Sequence, residues 1–144
     1  MIWKNNIDLA ALAVGDDLPS VEVPITTTLI TSGAIATRDY FPGHHCKDAA
    51  QELGSPHVFM NILTTSALVQ RFVEDWAGPS VRFNDIKVKL GAPNYPGDTM
   101  VFKGQITAID VANKQLDVLV KGNNGLGNHV TSEVSLTFAT NMEA

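Results

Sequence analysis

The chain has 144 residues, 44% of them hydrophobic, and its 15 acidic against 10 basic side chains give a formal net charge of −5. This length and apolar fraction predict one globular domain over residues 1–144. The negative charge argues against a nucleic-acid partner, since phosphate binding depends on an excess of Lys and Arg. A single cysteine excludes an internal disulfide and suits a reducing compartment. Because the sequence shows neither a signal-peptide pattern nor about 18 consecutive apolar residues, we expect a soluble cytoplasmic protein without a membrane partner.

The first third of the chain predicts a short strand and two short helical segments. Residues 21–25 alternate apolar and polar side chains and indicate a strand, which Pro24 restricts to a sheet edge or a strand end. Residues 28–37 carry mixed signals, because an apolar side typical of a short helix is interrupted by glycine and several threonines. Residues 47–53 have the composition of a short helix, and Gly54 ends it.

The longest predicted helix covers about residues 58–76, a stretch without Gly or Pro. Ile62, Val69 and Trp76 recur every seven positions. Other apolar side chains fill the neighbouring positions, so the apolar stripe is broad and the helix should be well buried. At about 1.5 Å per residue it would be roughly 28 Å long, enough to lie across one whole face of a sheet.

Four segments of alternating polarity follow the helix, at residues 82–90, 100–108, 116–121 and 130–138. Turn-forming residues separate them, which indicates antiparallel pairing of successive strands. We interpret the sequence between the last two as a long hairpin loop and place His129 on the polar, solvent-facing side of the last strand. The pattern predicts an α+β fold in which a curved antiparallel meander wraps a long central helix, and we expect the hotdog version of it.

The turn after the first helical segment holds the first candidate chemistry, because an acid and two histidines lie within seven residues. Pro42 and Gly43 exclude an ordinary helix, so a stiff turn could hold Asp39 and His44 together as an acid–base pair. The alternative is a solvated polar loop. His45 could take the place of His44, but adjacent side chains point in different directions, so at most one of them should act.

Two other roles for this segment are weaker. Cys46 as a nucleophile competes with the commoner case of a buried, inert thiol. A metal site built from His44, His45 and Asp48 is disfavoured, because adjacent histidines seldom reach one ion and no further cluster completes the shell. We therefore expect no metal.

The segment from Gly54 to Asn61 leads into the long helix. The first amides of a helix are unpaired donors at the positive end of its dipole, and such amides can bind a developing oxyanion. The alternative is that Ser55 and Asn61 only cap the helix start, with His57 as a solvated neighbour. Both interpretations stay open on the residues alone.

Several spaced motifs together resemble the MaoC-like branch of the hotdog superfamily, the (R)-specific enoyl-CoA hydratases. That family's spacing of an Asp, a Pro, a His and a Gly is matched by Asp39, Pro42, His44 and Gly54. The Pro-Gly-Asp sequence at 96–98 looks like the family's loop ahead of a long strand. A narrower resemblance is to the small subunit of heteromeric hydratases of bacterial steroid side-chain degradation, and it lies in residues 36–39, 44–45, 61–64, 68–71 and 75–79.

The resemblance implies an enzyme subunit that adds water to an α,β-unsaturated acyl-CoA and gives a 3-hydroxyacyl-CoA, with the acyl-CoA as substrate and no further cofactor. Asp39 and His44 would hold and ionise the water. The backbone N–H of Asn61 would bind the thioester oxygen. The side chains implied to contact the substrate are Tyr40, Phe59 and Met60.

The resemblance also implies a bulky, steroid side-chain acyl-CoA and a partner, either a second MaoC-like hotdog subunit or a second copy of this chain. One alternative is a non-catalytic hotdog subunit that shapes the active site of another chain. Met60–Asn61, where the family has His-Gly, and Cys46, where the family often has an acid, favour that alternative. A hotdog thioesterase is a further alternative, which would need an acid near the long helix.

Overall fold

The computed structural model describes residues 7–139. In chain order the elements are a 3₁₀ turn (Leu9–Ala11), β1 (Asp17–Pro24), α1 (Thr27–Ala36), a second 3₁₀ turn (Pro42–His44), α2 (Lys47–Glu52), α3 (Ile62–Ala77), β2 (Val81–Leu90), β3 (Thr99–Asp110), β4 (Gln115–Asn124) and β5 (Gly127–Phe138). Among these residues no helix has the length and apolar character needed to span a membrane.

The five strands form one antiparallel sheet in the order β1-β3-β4-β5-β2. The predicted meander is confirmed for β3, β4 and β5. It is wrong for β2, which pairs with β5 at the far edge rather than with β3. The link between β2 and β3 is therefore a crossover. Its first amides, Gly91 and Ala92, donate to the start of β5, and Gly97 donates to Ile25 just after β1, so the link runs across the end of the sheet.

Helix α3 lies against the sheet and contributes Val69, Phe72 and Val73 to a single core. The Phe72 ring stacks on that of Phe102 in β3, with the ring centroids 5.4 Å apart. The burial of this helix is as predicted, but the helix begins four residues later than expected. Residues 58–61 are extended because two of their amides bond to other segments and because the Asn61 side chain caps the first turn by accepting from the Thr64 N–H.

Helix α1 resolves the mixed signals of residues 28–37 in favour of a helix. Thr26 caps it by accepting from the Leu29 N–H, and Ile30 and Ala34 are fully buried. Gly33 is not a weakness here, because it lies against Thr64 of α3 where a side chain would not fit. The glycine therefore sets how closely the two helices approach.

The connection between β4 and β5 is shorter than the sequence predicted. Both strands continue past the expected loop until Asn124 pairs with Gly127, leaving only Gly125 and Leu126 in the turn. The Gly125 N–H donates to the Asp98 carboxylate (2.9 Å), which ties this turn to the β2–β3 crossover.

The prediction that His129 lies at the surface is wrong. It is 2% exposed, and its ring lies between α3 and the crossover. Nδ1 donates to the carbonyl of Ala92 (2.6 Å), and Nε2 lies 2.9 Å from Oγ1 of Thr65. Burial lowers the pKa of His129, while the Ala92 hydrogen bond acts in the opposite direction. The strand pattern did not indicate this burial, because it is the crossover, bonded to the start of β5, that covers the His129 ring.

Candidate active site

Asp39 is placed by the way α1 ends. Arg38 adopts a left-handed conformation (φ 57°), and its N–H and that of Asp39 donate to Ile35 and Ala34. These two bonds form the Schellman arrangement, in which the left-handed position is usually occupied by glycine. The chain is thereby reversed just beyond α1, and Asp39 is directed towards the start of α3.

His44 is placed by the 3₁₀ turn and by two aromatic rings. Its Nδ1 donates to the carbonyl of Phe59 (2.7 Å), and the imidazole packs edge-on against the rings of Phe59 and Phe41, with centroids 4.9 and 5.4 Å away. Gly43 is required between them, because a Cβ there would lie 2.8–2.9 Å from both phenyl rings. The imidazole is therefore fixed in both position and tautomer.

The structure brings Asp39 and His44 together, as the spacing predicted. His44 Nε2 lies 3.3 Å from Asp39 Oδ2, and the two side chains are 9% and 27% exposed. Because Nδ1 carries the proton given to Phe59, Nε2 of the neutral ring presents a lone pair. An imidazole lone pair and a carboxylate oxygen therefore converge on one partly open point.

Asp39 is stabilised in its ionised form. A hydrogen bond from Asn61 Nδ2 to Oδ2 (2.9 Å) is the largest cause that lowers its pKa, and the Phe41 N–H lowers it further. Partial burial opposes these effects without reversing them. At neutral pH the group is a carboxylate, ready to accept a proton rather than to donate one.

The start of α3 offers free backbone donors near this pair. The amides of Phe59 and Met60 donate to Gly43 and Asn94. By contrast, within residues 7–139 the N–H groups of Asn61, Ile62 and Leu63 donate to no protein acceptor, and that of Asn61 belongs to the residue whose side chain contacts Asp39. The two sequence interpretations of Asn61 thus coexist in one residue: its side chain caps the helix, and its backbone amide is left available.

The three residues expected to contact substrate have different surroundings. Tyr40 is largely exposed, and Phe59 is half-buried beside the His44 ring. Met60 corrects the expectation. It is 4% exposed and belongs to the core, with its sulfur 3.7 Å from Nδ2 of the buried Asn94, so its side chain offers no surface to a substrate.

The remaining candidates lie apart from the pair. His45 is exposed and its Nε2 bonds to the Tyr40 carbonyl (3.2 Å). Cys46 stands at the N-terminus of α2. His57 Nδ1 accepts from the Val58 N–H (2.8 Å). Within the described range 7–139, no three His, Cys, Asp or Glu side chains are grouped as metal ligands.

Two side-chain contributions were missed by sequence reasoning. Thr37 and the carboxamide of Asn61 hydrogen-bond to each other (3.0 Å), and Asn61 also bonds to Asp39. The Asn directly ahead of a helix is a local signal for a cap. The contact with Asp39 has no local signal, because 22 residues separate the two.

Five large apolar side chains in the segments that carry the pair are exposed. They lie at the end of α1, in the turn after it and in the first turn of α3, and we call them the exposed apolar group: Ile35, Tyr40, Phe41, Ile62 and Leu63. All five are at least 45% exposed, and Phe41 among them packs against the His44 ring.

Comparisons with known proteins agree with this architecture. The family described as MaoC like domain matches residues 11–125. The 3-oxo-4,17-pregnadiene-20-carboxyl-CoA hydratase beta subunit of Mycobacterium tuberculosis is 45% identical over 124 residues, covering 86% of this chain and 95% of that protein. A chain in the crystal structure of the ChsH1-ChsH2 complex from Mycobacterium tuberculosis matches with a TM-score of 0.84 at 44% identity, covering 88% of this chain and 98% of that one.

A more distant structure supports the fold alone. The unliganded R-hydratase PhaJ1 from Pseudomonas aeruginosa matches with a TM-score of 0.84 at only 17% identity, covering 93% of this chain and 86% of that one. The predicted α+β hotdog fold is thereby confirmed.

Proposed function

The chain belongs to the MaoC-like domain family, and from that membership we propose that it is the catalytic subunit of an enoyl-CoA hydratase. The observation that carries the proposal is the pair itself. A carboxylate oxygen and an imidazole lone pair, 3.3 Å apart, face one partly open point next to an available helix-start amide.

The geometry supports an addition of water in which the Asp39–His44 pair takes one proton from the water and passes it to Cα of the substrate. A water at the shared point donates one hydrogen to Asp39 Oδ2 and the other to His44 Nε2, since both are acceptors. As its oxygen attacks Cβ of the enoyl thioester, the pair takes one proton and electrons move through Cα to the thioester oxygen. The N–H of Asn61 stabilises that oxyanion. The proton held by the pair is then delivered to Cα, so that OH and H from one water have been added.

The substrate class and partner come from the relatives. One relative is named a subunit of a steroid side-chain CoA hydratase, and the other match is from a complex of two proteins. We propose a bulky steroid side-chain acyl-CoA for this chain, and a second hotdog subunit as its partner. Within residues 7–139 the outer edges of β1 and β2 pair with no further strand, and these edges and the exposed apolar group are the places such a subunit would cover.

The two alternatives have less support. A thioesterase would need an acid near α3 that is not part of an acid–imidazole turn; the first turn of α3 contains no acid, and Asp39 near its start is paired with His44. A purely supporting subunit would not need an assembled Asp39–His44 pair with an oriented tautomer and a lowered Asp39 pKa.

The experiment uses the chain expressed together with its hotdog partner and 3-oxo-4,17-pregnadiene-20-carboxyl-CoA as probe. Loss of the conjugated absorbance together with a mass gain of one water reports hydration. We expect Asp39→Asn and His44→Ala each to lower kcat by about 10²–10⁴-fold, the usual contribution of a positioned acid or base. His45→Ala is the matched control and should stay within about twofold of wild type. Full activity in both pair variants would refute the catalytic assignment and leave the supporting role.

A further inference from the structure

The carboxamide of Asn61 has a fixed orientation. Its Oδ1 accepts the Thr64 N–H (3.0 Å) and thereby caps α3. An amide oxygen cannot donate, so the cap leaves Nδ2 on the side that faces the end of α1. The residue is 3% exposed, which prevents solvent from competing for these bonds.

Both hydrogens of Nδ2 are used on that side. One goes to Thr37 Oγ1 (3.0 Å) and the other to Asp39 Oδ2 (2.9 Å). The Thr37 hydroxyl gives its own hydrogen to the Gly33 carbonyl (2.8 Å), so its oxygen is free to accept from Asn61. Each donor and acceptor in this group has a consistent partner, which makes the arrangement rigid.

The oxygen of Asp39 that Asn61 binds is the same one that faces the imidazole. Oδ2 lies 2.9 Å from Asn61 Nδ2 and 3.3 Å from His44 Nε2, while Oδ1 receives the Phe41 N–H (3.3 Å). The rotation of the carboxylate is therefore defined at both oxygens. Loss of the Asn61 bond would leave Asp39 with one backbone contact and free to turn away from His44.

We propose that the side chain of Asn61 is a positioning residue, which holds the Asp39 carboxylate beside His44 through a donor whose direction the helix cap sets. This role is separate from the oxyanion role of its backbone N–H, and it rests on the proposed function because Asp39 must be the reacting carboxylate. The cap alone does not explain Asn here. Asp and Ser cap helices about as well, but neither supplies an NH₂ donor.

Two substitutions separate positioning from capping, and both keep the backbone N–H. Asn61→Ser retains a cap oxygen but has no donor that reaches Asp39. Asn61→Asp retains the cap and the size, but places a second carboxylate where the donor was. Two carboxylates at that distance cannot both ionise readily, so the pKa of Asp39 rises. The matched control is Asn113→Asp. Asn113 lies in the turn between β3 and β4, and its Nδ2 likewise donates to a carboxylate, Asp110 Oδ2 (2.7 Å).

The measurement is the pH profile of kcat and kcat/KM for hydration of the same steroid enoyl-CoA by the complex with its partner. We expect Asn61→Ser to lower kcat by about tenfold or more with KM within about threefold, since the loss concerns the reacting groups. In Asn61→Asp the acid limb of kcat/KM should move upward by about one pH unit or more. Asn113→Asp should leave both curves unchanged. Thr37→Val should lower kcat, and Thr37→Ser, which keeps the hydroxyl, should restore it.

The outcomes distinguish this proposal from the one on which it rests. If Asp39→Asn abolishes hydration but the acid limb of Asn61→Asp coincides with that of wild type, the positioning role is refuted and the hydratase assignment stands. If Asp39→Asn leaves hydration intact, the proposed catalytic function is refuted, and the positioning role that rests on it is refuted with it. Asn61→Ser could also lose activity because the protein is less stable. If its kcat falls together with its melting temperature and the pH profile of Asn61→Asp is unshifted, the side chain serves only as a helix cap and the proposal is refuted.

Discussion

Replacing Gly33 by alanine tests the close approach of α1 and α3 that places Asp39 near Asn61. In an open helix the change would stabilise the protein by about 1 kcal/mol, because alanine is the better helix former. Here a new Cβ would overlap Oγ1 of Thr64 and lie 2.8 Å from its Cγ2 and 3.1 Å from its Cβ. The sign of the effect therefore depends on whether Thr64 can move away.

Rotation of the Thr64 side chain does not remove the overlap. Two of its three β substituents face Gly33, so turning about χ1 replaces only one of them by hydrogen. The helices must separate instead, and overpacking of this kind costs about 1–3 kcal/mol. With two atoms in conflict we take the upper part of that range. After subtracting about 1 kcal/mol for propensity, we expect a net destabilisation of about 1–2 kcal/mol, or a fall in Tm of roughly 3–8 °C.

The assay is urea unfolding of wild type, Gly33→Ala, Thr64→Ala and the double variant. In the Thr64→Ala background Oγ1 and Cγ2 are gone and only the Cβ contact at 3.1 Å remains, so Gly33→Ala should become neutral or stabilising by up to about 1 kcal/mol. Ser32→Ala, at an exposed position of the same helix, is the control and should change stability by less than about 0.5 kcal/mol. If Gly33→Ala stabilises the wild-type protein, or has the same effect in both backgrounds, the steric explanation is refuted.

Two further predictions concern charges outside the pair. Lowering the pH from about 7.5 to about 5.5 should destabilise wild type more than His129→Gln, because burial lowers the pKa of His129 below its ordinary 6.5 and the unfolded chain takes up the proton first. This contribution to stability is complete above pH 6.5 and decreases as the pH falls towards the folded-state pKa; equal losses in urea titrations of the two proteins would contradict it. Arg71→Gln removes an exposed pair with Asp75 (3.5 Å) and should change the free energy of unfolding by less than about 0.5 kcal/mol. A loss above about 1 kcal/mol would contradict the small contribution expected of an exposed ion pair.

Local patterns predicted the elements of this fold well, because they report which face of an element is buried. The broad apolar stripe of α3 and the period-two alternation of the strands both correspond to buried faces. The same patterns say nothing about which strands pair. They therefore could not place β2 beside β5. They also predicted a solvent-exposed His129, because they carry no information about the crossover that covers it.

The candidate site divides in the same way. The sequence alone predicted that a turn could hold Asp39 and His44 together, since Pro42 fixes one backbone angle and prevents a helix from continuing, but it left a solvated loop open as the alternative. Only the tertiary structure decided which atoms meet. The carbonyl of Phe59 orients the His44 ring and the Asn61 carboxamide orients Asp39, across 15 and 22 residues of chain. Those contacts exist because α3 packs against α1 at Gly33, and helix packing depends on shape across two segments, which no single stretch of sequence encodes.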